Sequence, residues 1–180
     1  MNATSGLHTF SLDPAHSSVN FSARHMMLSK VRGQFKVVSG SLTLAEGSSI
    51  PTTIDATIDV SSIDTSETQR DGHLKSPDFL DAEQFRQITF KSSTIVRAGE
   101  AFTATGDLTI HGVTKSITLA GQLEGRTKDP WGNDRVAFSA TTKINRKDFG
   151  LTWNQMLETG GVLVGEDIAI ELEIQAIPAK

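Results

Sequence analysis

The 180-residue sequence has no cysteine. Disulfides, thiolate nucleophiles and cysteine-bound zinc are therefore excluded. It has no excess of basic charge: 17 Lys and Arg against 21 Asp and Glu give a net charge of -4, mixed along the chain. Without a basic stripe to hold phosphate backbones, nucleic-acid binding is not expected. No apolar run is long enough to span a bilayer. The opening MNATSGLHTFSLD lacks the basic, apolar and small-residue regions of a signal peptide, so a cytoplasmic protein without a transmembrane segment is expected. Catalytic signatures are missing too. There is no G-x-S-x-G elbow, no HExxH and no phosphate-cradling glycine loop. His8, His16, His25, His73 and His111 show no ligand spacing, so no metal is expected.

What is present is alternation with a period of two, the mark of strands with one wet and one buried face. Ile54, Ala56, Ile58 and Val60 alternate with polar residues. So do Ile117, Leu119 and Leu123, then Val136, Phe138, Ala140 and Ile144, and most clearly Ile168, Ile170, Leu172 and Ile174. Weaker versions run through 8–13, 18–24, 32–44, 88–96 and 102–111, giving about eight to nine strands. Turn residues separate them at Asp13-Pro14, Gly99-Glu100, His111-Gly112 and Asp129–Asn133. The gaps are too short for crossover helices, so neighbouring strands should pair as antiparallel hairpins. The predicted fold is all-β: one domain over 1–180, an antiparallel sandwich or barrel with a short helical insertion.

The insertion lies between Ser62 and Phe85. Ser66 and Gln69 form a plausible capping box for a helix over 67–74, and Ser76-Pro77-Asp78 predicts the start of a second short turn. A second interruption, 146–165, mixes Phe149, Leu151, Trp153, Met156 and Leu157 with polar residues, as a plug or lid would.

Four stretches, in order, carry a resemblance. Asp13, His16-Ser17 and Phe21 form the first, and Arg70-Asp71-Gly72-His73-Leu74-Lys75-Ser76-Pro77-Asp78-Phe79-Leu80-Asp81 the second. Gly106-Asp107-Leu108-Thr109-Ile110-His111-Gly112-Val113-Thr114-Lys115 is the third, and Ile144-Asn145-Arg146-Lys147-Asp148-Phe149-Gly150 the last. Together they resemble the YceI-like polyisoprenoid-binding family. Leu80 and Arg86 depart from its pattern, which elsewhere has an aromatic and a proline there; both lie where the barrel mouth is expected. The resemblance implies an extended, lipocalin-like antiparallel β-barrel of eight strands whose interior binds an isoprenoid lipid, a polyprenol or prenyl quinone precursor, for storage, shielding or transport. It brings no catalytic residue and no cofactor beyond the lipid.

On this reading the chain is lined by Phe21, Phe35, Phe79, Leu80, Phe85, Phe90, Ile110, Phe138, Phe149, Trp153 and Leu172. Arg24, His73 and Arg146 are the headgroup candidates, with Arg70 beside them, and Ala23, Ala56, Gly121 and Ala140 leave room between larger side chains. Two rivals stand beside it. The same alternation builds the filled core of a stress-related or interaction protein without ligand, since interiors prefer close packing. A cyclase- or isomerase-like enzyme would need an inward polar group such as Asn20, His25 or Asn154. Asp55 and Asp59, like Glu171 and Glu173, share the polar strand face and read as solvated surface. The last strand, if left as an edge, offers a place for a homodimer to form.

Overall fold

The computed structural model describes residues 6–180; residues 1–5, on which part of the reading of the N-terminus rests, lie outside them. Eleven strands and one α-helix follow the chain: β1 (Leu7–Leu12), β2 (Ser18–His25), β3 (Ser29–Phe35), β4 (Val38–Ala45), β5 (Pro51–Asp59), β6 (Ile63–Asp64), α1 (Thr68–Lys75), β7 (Gln87–Ala98), β8 (Ala101–Ile110), β9 (Val113–Lys128), β10 (Asp134–Asn145) and β11 (Asp167–Pro178). All pairings are antiparallel. The order β1-β4-β5-β7-β8-β9-β10-β11 closes on itself through β1–β11, which makes an eight-stranded barrel. Closure removes the open edges of a flat sheet. The strands β2, β3 and β6 continue from β11 as a flared extension.

That extension arises because the first three staves are each broken at one level. The break is at residues 13–17 between β1 and β2, at Lys36-Val37 between β3 and β4, and at the one-turn 3-10 helix Val60–Ser62 between β5 and β6. The predicted run 32–44 is thus two strands. Asp13-Pro14 starts the first break, where Pro14 opens a one-turn helix capped by the Asp13 carboxylate. Strand β11 pairs with β1 through Ala176–Pro178 and with β2 through Ala169–Glu173. Its other edge is filled by β10. The last strand therefore has no free edge, and the dimer contact expected there is not available.

The helix differs from its prediction by one residue. Ser66 has φ 64°, a left-handed conformation incompatible with an N-cap, and Glu67 caps instead, its carboxylate accepting from the Gln69 and Arg70 N–H groups. Ser76 ends this helix, and 77–80 form turns rather than a second helix.

The end away from the helix is solid. Phe10, Leu44, Ile50, Val136 and Ala176 are buried there. Arg126 ties this end together, bonding Asp134, the Ser48 carbonyl and Ser49 Oγ while its guanidinium lies 5.5 Å from the Phe10 ring centre. Gly121 was expected to leave space, but a Cβ there would be driven into the Phe102 ring, so the aromatic already fills it.

Three carboxylates brace this end. Asp13 accepts from Arg135 at 2.6 Å and from the Ala15 N–H at 3.0 Å. The Arg135 guanidinium, ahead of burial and His16, holds the Asp13 carboxyl below its ordinary pKa. Arg126 does the same for Asp134. For Asp129, burial opposes ionisation, but N–H groups of Asn133 and Trp131 together with Arg135 outweigh it and lower the pKa. Folded-state values below the unfolded ones mean stability that is present above the ordinary carboxylate range and lost as pH falls through it. The thermal midpoint should therefore be flat near neutrality and drop below about pH 4. Asp13→Asn should flatten part of that drop, as read by melting curves across pH.

Candidate functional site

The upper part of the barrel is hollow. A cavity of about 390 Å³ runs from the middle of the barrel to the helix-bearing rim, within the range of small-ligand pockets. Its wall is built by the inward members of the alternating strands, because successive side chains on a strand point to opposite faces. Ala56 and Ile58 come from β5, Phe90 from β7, Leu108 and Ile110 from β8, Phe138 and Ala140 from β10, and Ile170 and Leu172 from β11. Two aromatic pairs stand in this wall: Phe21 with Phe35, ring centres 5.5 Å apart, and Phe102 edge-on to Phe138 at 5.9 Å. Gly33 is what allows the first pair to settle. A Cβ at that position would come 2.5 Å from the Phe21 ring.

The rim is aromatic and cationic. His73 on α1 stands edge-on to Phe79 and to Trp153, with ring centres 5.0 and 4.7 Å away, and Phe79 lies 5.2 Å from Trp153. The imidazole Nε2 is also within 2.9 Å of the Asp78 carboxylate. His73 thus braces the helical insertion against the segment 150–165 and borders the cavity with its ring. Arg70 borders the cavity too, but its guanidinium donates to the Thr65 hydroxyl and carbonyl, and Asp71 accepts from the same hydroxyl. Arg24 stands at the rim, exposed, and His25 beside it half-buried.

Arg146 is the most constrained of the charged residues. It is 3% exposed, yet no carboxylate touches its guanidinium among the described residues. Instead it donates to the carbonyls of Gly165, Leu151, Trp153 and Val164 at 2.9, 2.7, 2.9 and 3.3 Å. Burial pulls its pKa down from the usual guanidinium value, and Glu166 partly offsets this. Four of the five donors a guanidinium possesses are committed to backbone. The residue expected as a headgroup partner is therefore the clasp of the lid segment. Asn154 supports it by exchanging two hydrogen bonds with the Val164 backbone.

Of the expected wall residues, Phe21, Phe35, Phe79, Leu80, Phe90, Ile110, Phe138, Trp153 and Leu172 border the cavity, as do Arg24, His73 and Arg146. Two do not. Phe85 packs under the β8–β9 turn, its ring 4.6 Å from that of His111 and close against Gly112. Phe149 is 1% exposed in the core, on the one-turn helix Arg146–Phe149 that packs against β9 and β10. Gly150, at φ 76°, closes that turn, and the pair Asn145…Gly150 is the cap-and-stop pattern that marks it in the sequence. Leu108, Phe102 and Ile170 were not among the expected wall residues, although each continues the alternation of its strand. Of the inward polar groups named for an enzyme, Asn20 bonds Ser18, Asn154 holds the lid, and His25 borders the cavity at its rim. Among the described residues, no three His, Asp or Glu side chains gather as metal ligands would. Among the described residues, no helix is long and apolar enough to cross a membrane.

Comparison with known proteins places this architecture. Residues 10–176 match the model of the YceI-like domain. Protein YceI of Escherichia coli is 41% identical over 136 residues, 76% of this chain and 71% of that protein. The crystal structure of the YceI protein of Campylobacter jejuni superposes with a TM-score of 0.74 at 30% identity, covering 87% of this chain and 90% of that one. A polyisoprenoid binding domain from Saccharophagus degradans shares the fold, with a TM-score of 0.71 at 16% identity over 94% and 98% of the two chains.

The role of Arg146 gives a direct test. Arg146→Ala leaves four carbonyls of the lid without their donor, which should cost at least about 3 kcal/mol. Urea unfolding should show a lowered midpoint, and limited proteolysis should cut within 150–165 under conditions where the wild type resists.

Proposed function

Because this chain belongs to the YceI-like family, we propose that it is a binding protein for an isoprenoid-type lipid, such as a polyprenol or a prenyl quinone, rather than an enzyme. The observation that carries this reading is the division of chemistry along the barrel axis. Apolar side chains make the depth of the cavity, and Arg24, Arg70 and Arg146, with the His73 imidazole, gather at the rim. A hydrocarbon chain with a polar end matches that division. The relative whose fold it shares in Saccharophagus degradans is described as a polyisoprenoid binding domain, and the reading extends that ligand class to this chain.

Each methylene moved from water into the cavity contributes about 0.8 kcal/mol, and the ordering of a flexible chain offsets part of it. Selection would rest on length and apolarity inside, with Arg24 at the rim meeting the polar end. The hydroxyls that border the wall are taken up by neighbours, Thr65 by Asp71, Ser139 by Glu124 and Thr142 by the Thr118 carbonyl, and His25 and His73 stand at the rim, so storage, shielding or transport is preferred to turnover.

The test is organic extraction of natively purified protein followed by mass spectrometry. A stoichiometric prenyl species is the expected result. A clean blank, repeated after the protein is offered polyprenols and prenyl quinones, would overturn the proposal. Filling the cavity supplies a second test: Ala140→Trp should keep the barrel's circular dichroism and lower prenyl-lipid binding by about tenfold or more, through the lost volume. Unchanged binding would place the ligand elsewhere.

A further inference from the structure

The tip of the β2–β3 hairpin is made of side chains that neither packing nor turn chemistry requires. Met26, Met27 and Leu28 are 40%, 65% and 78% exposed. Met26 and Met27 occupy the two central positions of a turn closed by the Leu28 N–H on the His25 carbonyl at 3.0 Å, with φ of 53° and 60°. This is type I′ geometry, which Asn-Gly adopts readily and which methionine enters only with strain. A second loop completes the feature. Met156, 80% exposed, bridges to Val162, and a Cβ on Gly161 would meet the Met27 sulfur at 2.8 Å. The two loops form one apolar knob.

Charge surrounds it asymmetrically. Although the protein's net charge is -4, residues 14–45 contain no Asp or Glu, while Arg24, Lys30, Arg32 and Lys36 fall within them. Arg24, Lys30 and Arg32 flank the tip and are exposed. On the neighbouring elements, Glu166 and Asp167 are paired with Lys147 and Lys143, Glu158 lies on the adjacent loop, and Glu171 and Glu173 of β11 stand beside Asn20 and Ser18, at the far end of β2 from the tip. An apolar tip with a cationic collar fits the boundary region of an anionic bilayer, where apolar side chains enter the acyl layer and Lys and Arg meet headgroups.

The knob also adjoins the cavity. Arg24 and His25 at its base border the opening, and the Met26 N–H bonds the carbonyl of Leu163, which lines it, at 2.8 Å. We infer that this knob docks the barrel, rim first, on an anionic lipid bilayer. The inference goes beyond ligand binding and is tested without any isoprenoid present, so it stands or falls separately from the proposed cargo.

The experiment is co-sedimentation of the full chain with vesicles of phosphatidylcholine, with and without phosphatidylglycerol. Binding is expected to the anionic vesicles and to be released by salt. Met27→Ser/Leu28→Ser and Lys30→Glu/Arg32→Glu should each weaken it by about tenfold or more. Melting curves confirm that each variant is folded. Trp131→Ser, which removes an 82% exposed apolar side chain at the closed end, should leave binding unchanged. Vesicle binding that ignores phosphatidylglycerol, survives both double substitutions or is lost with Trp131→Ser overturns the inference. Failure to bind either vesicle also overturns it and turns the knob over to a protein partner.

Discussion

The structure depends on how backbone hydrogen bonds are met where the first three staves break. A barrel strand that bends away leaves donors and acceptors without their ladder partners, and buried ones cannot go unpaired. Here side chains and loop backbone take over. Between the segments of β11 that pair with β1 and β2, the Gln175 N–H is served by Ser17 Oγ and its carbonyl by the Asp13 N–H and the Ser17 hydroxyl. One stave further on, the Val37 N–H finds Ser62 Oγ, the Lys36 N–H finds the Ser62 carbonyl, and the Asp59 N–H finds the Val37 carbonyl. With these bonds in place, no buried side-chain polar atom among the described residues lacks a partner. The breaks are thus built into the sheet, and they let β2, β3 and β6 flare away from the closed ring.

The flare separates two kinds of interior. Below the breaks the ring is complete, and large apolar side chains meet across it as in any close-packed core. Above them the ring is interrupted between β6 and β7, and α1, the turns after it and the segment 150–165 cover the gap. Those coverings do not have a ladder of their own. Arg146 and Asn154 hold the lid by its carbonyls, and the His73, Phe79 and Trp153 rings hold the helix to the lid. Aromatic edges and a desolvated guanidinium thus do locally what strand pairing does elsewhere. The filled-core and hollow-barrel readings of the alternation are both realised, at opposite ends of one molecule.

Much of this was legible in the residues. Alternation at 54–60, 117–123, 136–144 and 168–174 located strands and their inward faces, because the period of two is a local property of extended backbone. The lumen positions of Phe90, Ile110, Phe138 and Leu172 follow from it. The rest depended on long-range geometry. Nothing local tells that β11 serves two partners along one edge, or that Phe102 swings into the space of Gly121. Phe85 and Phe149 were misplaced for a related reason: both are aromatics beside a turn, and only the surrounding fold decides which way a turn aims its side chains. Arg146 is the same lesson in charge. In sequence it reads equally as a headgroup partner or a structural residue, and its neighbours in space use nearly all of its donors.

The solid end made by Phe10, Leu44, Ile50, Val136 and Ala176, bolted by Arg126, turns the barrel into a blind sac. A molecule that enters cannot pass through; it leaves by the way it came, and whatever goes in first comes out last. For an elongated guest this imposes polarity: the apolar end leads on loading, the polar end leads on release, and a receiving surface must meet the same opening as the donating one. Two such encounters cannot happen together, so the architecture suits alternating visits rather than a continuous channel.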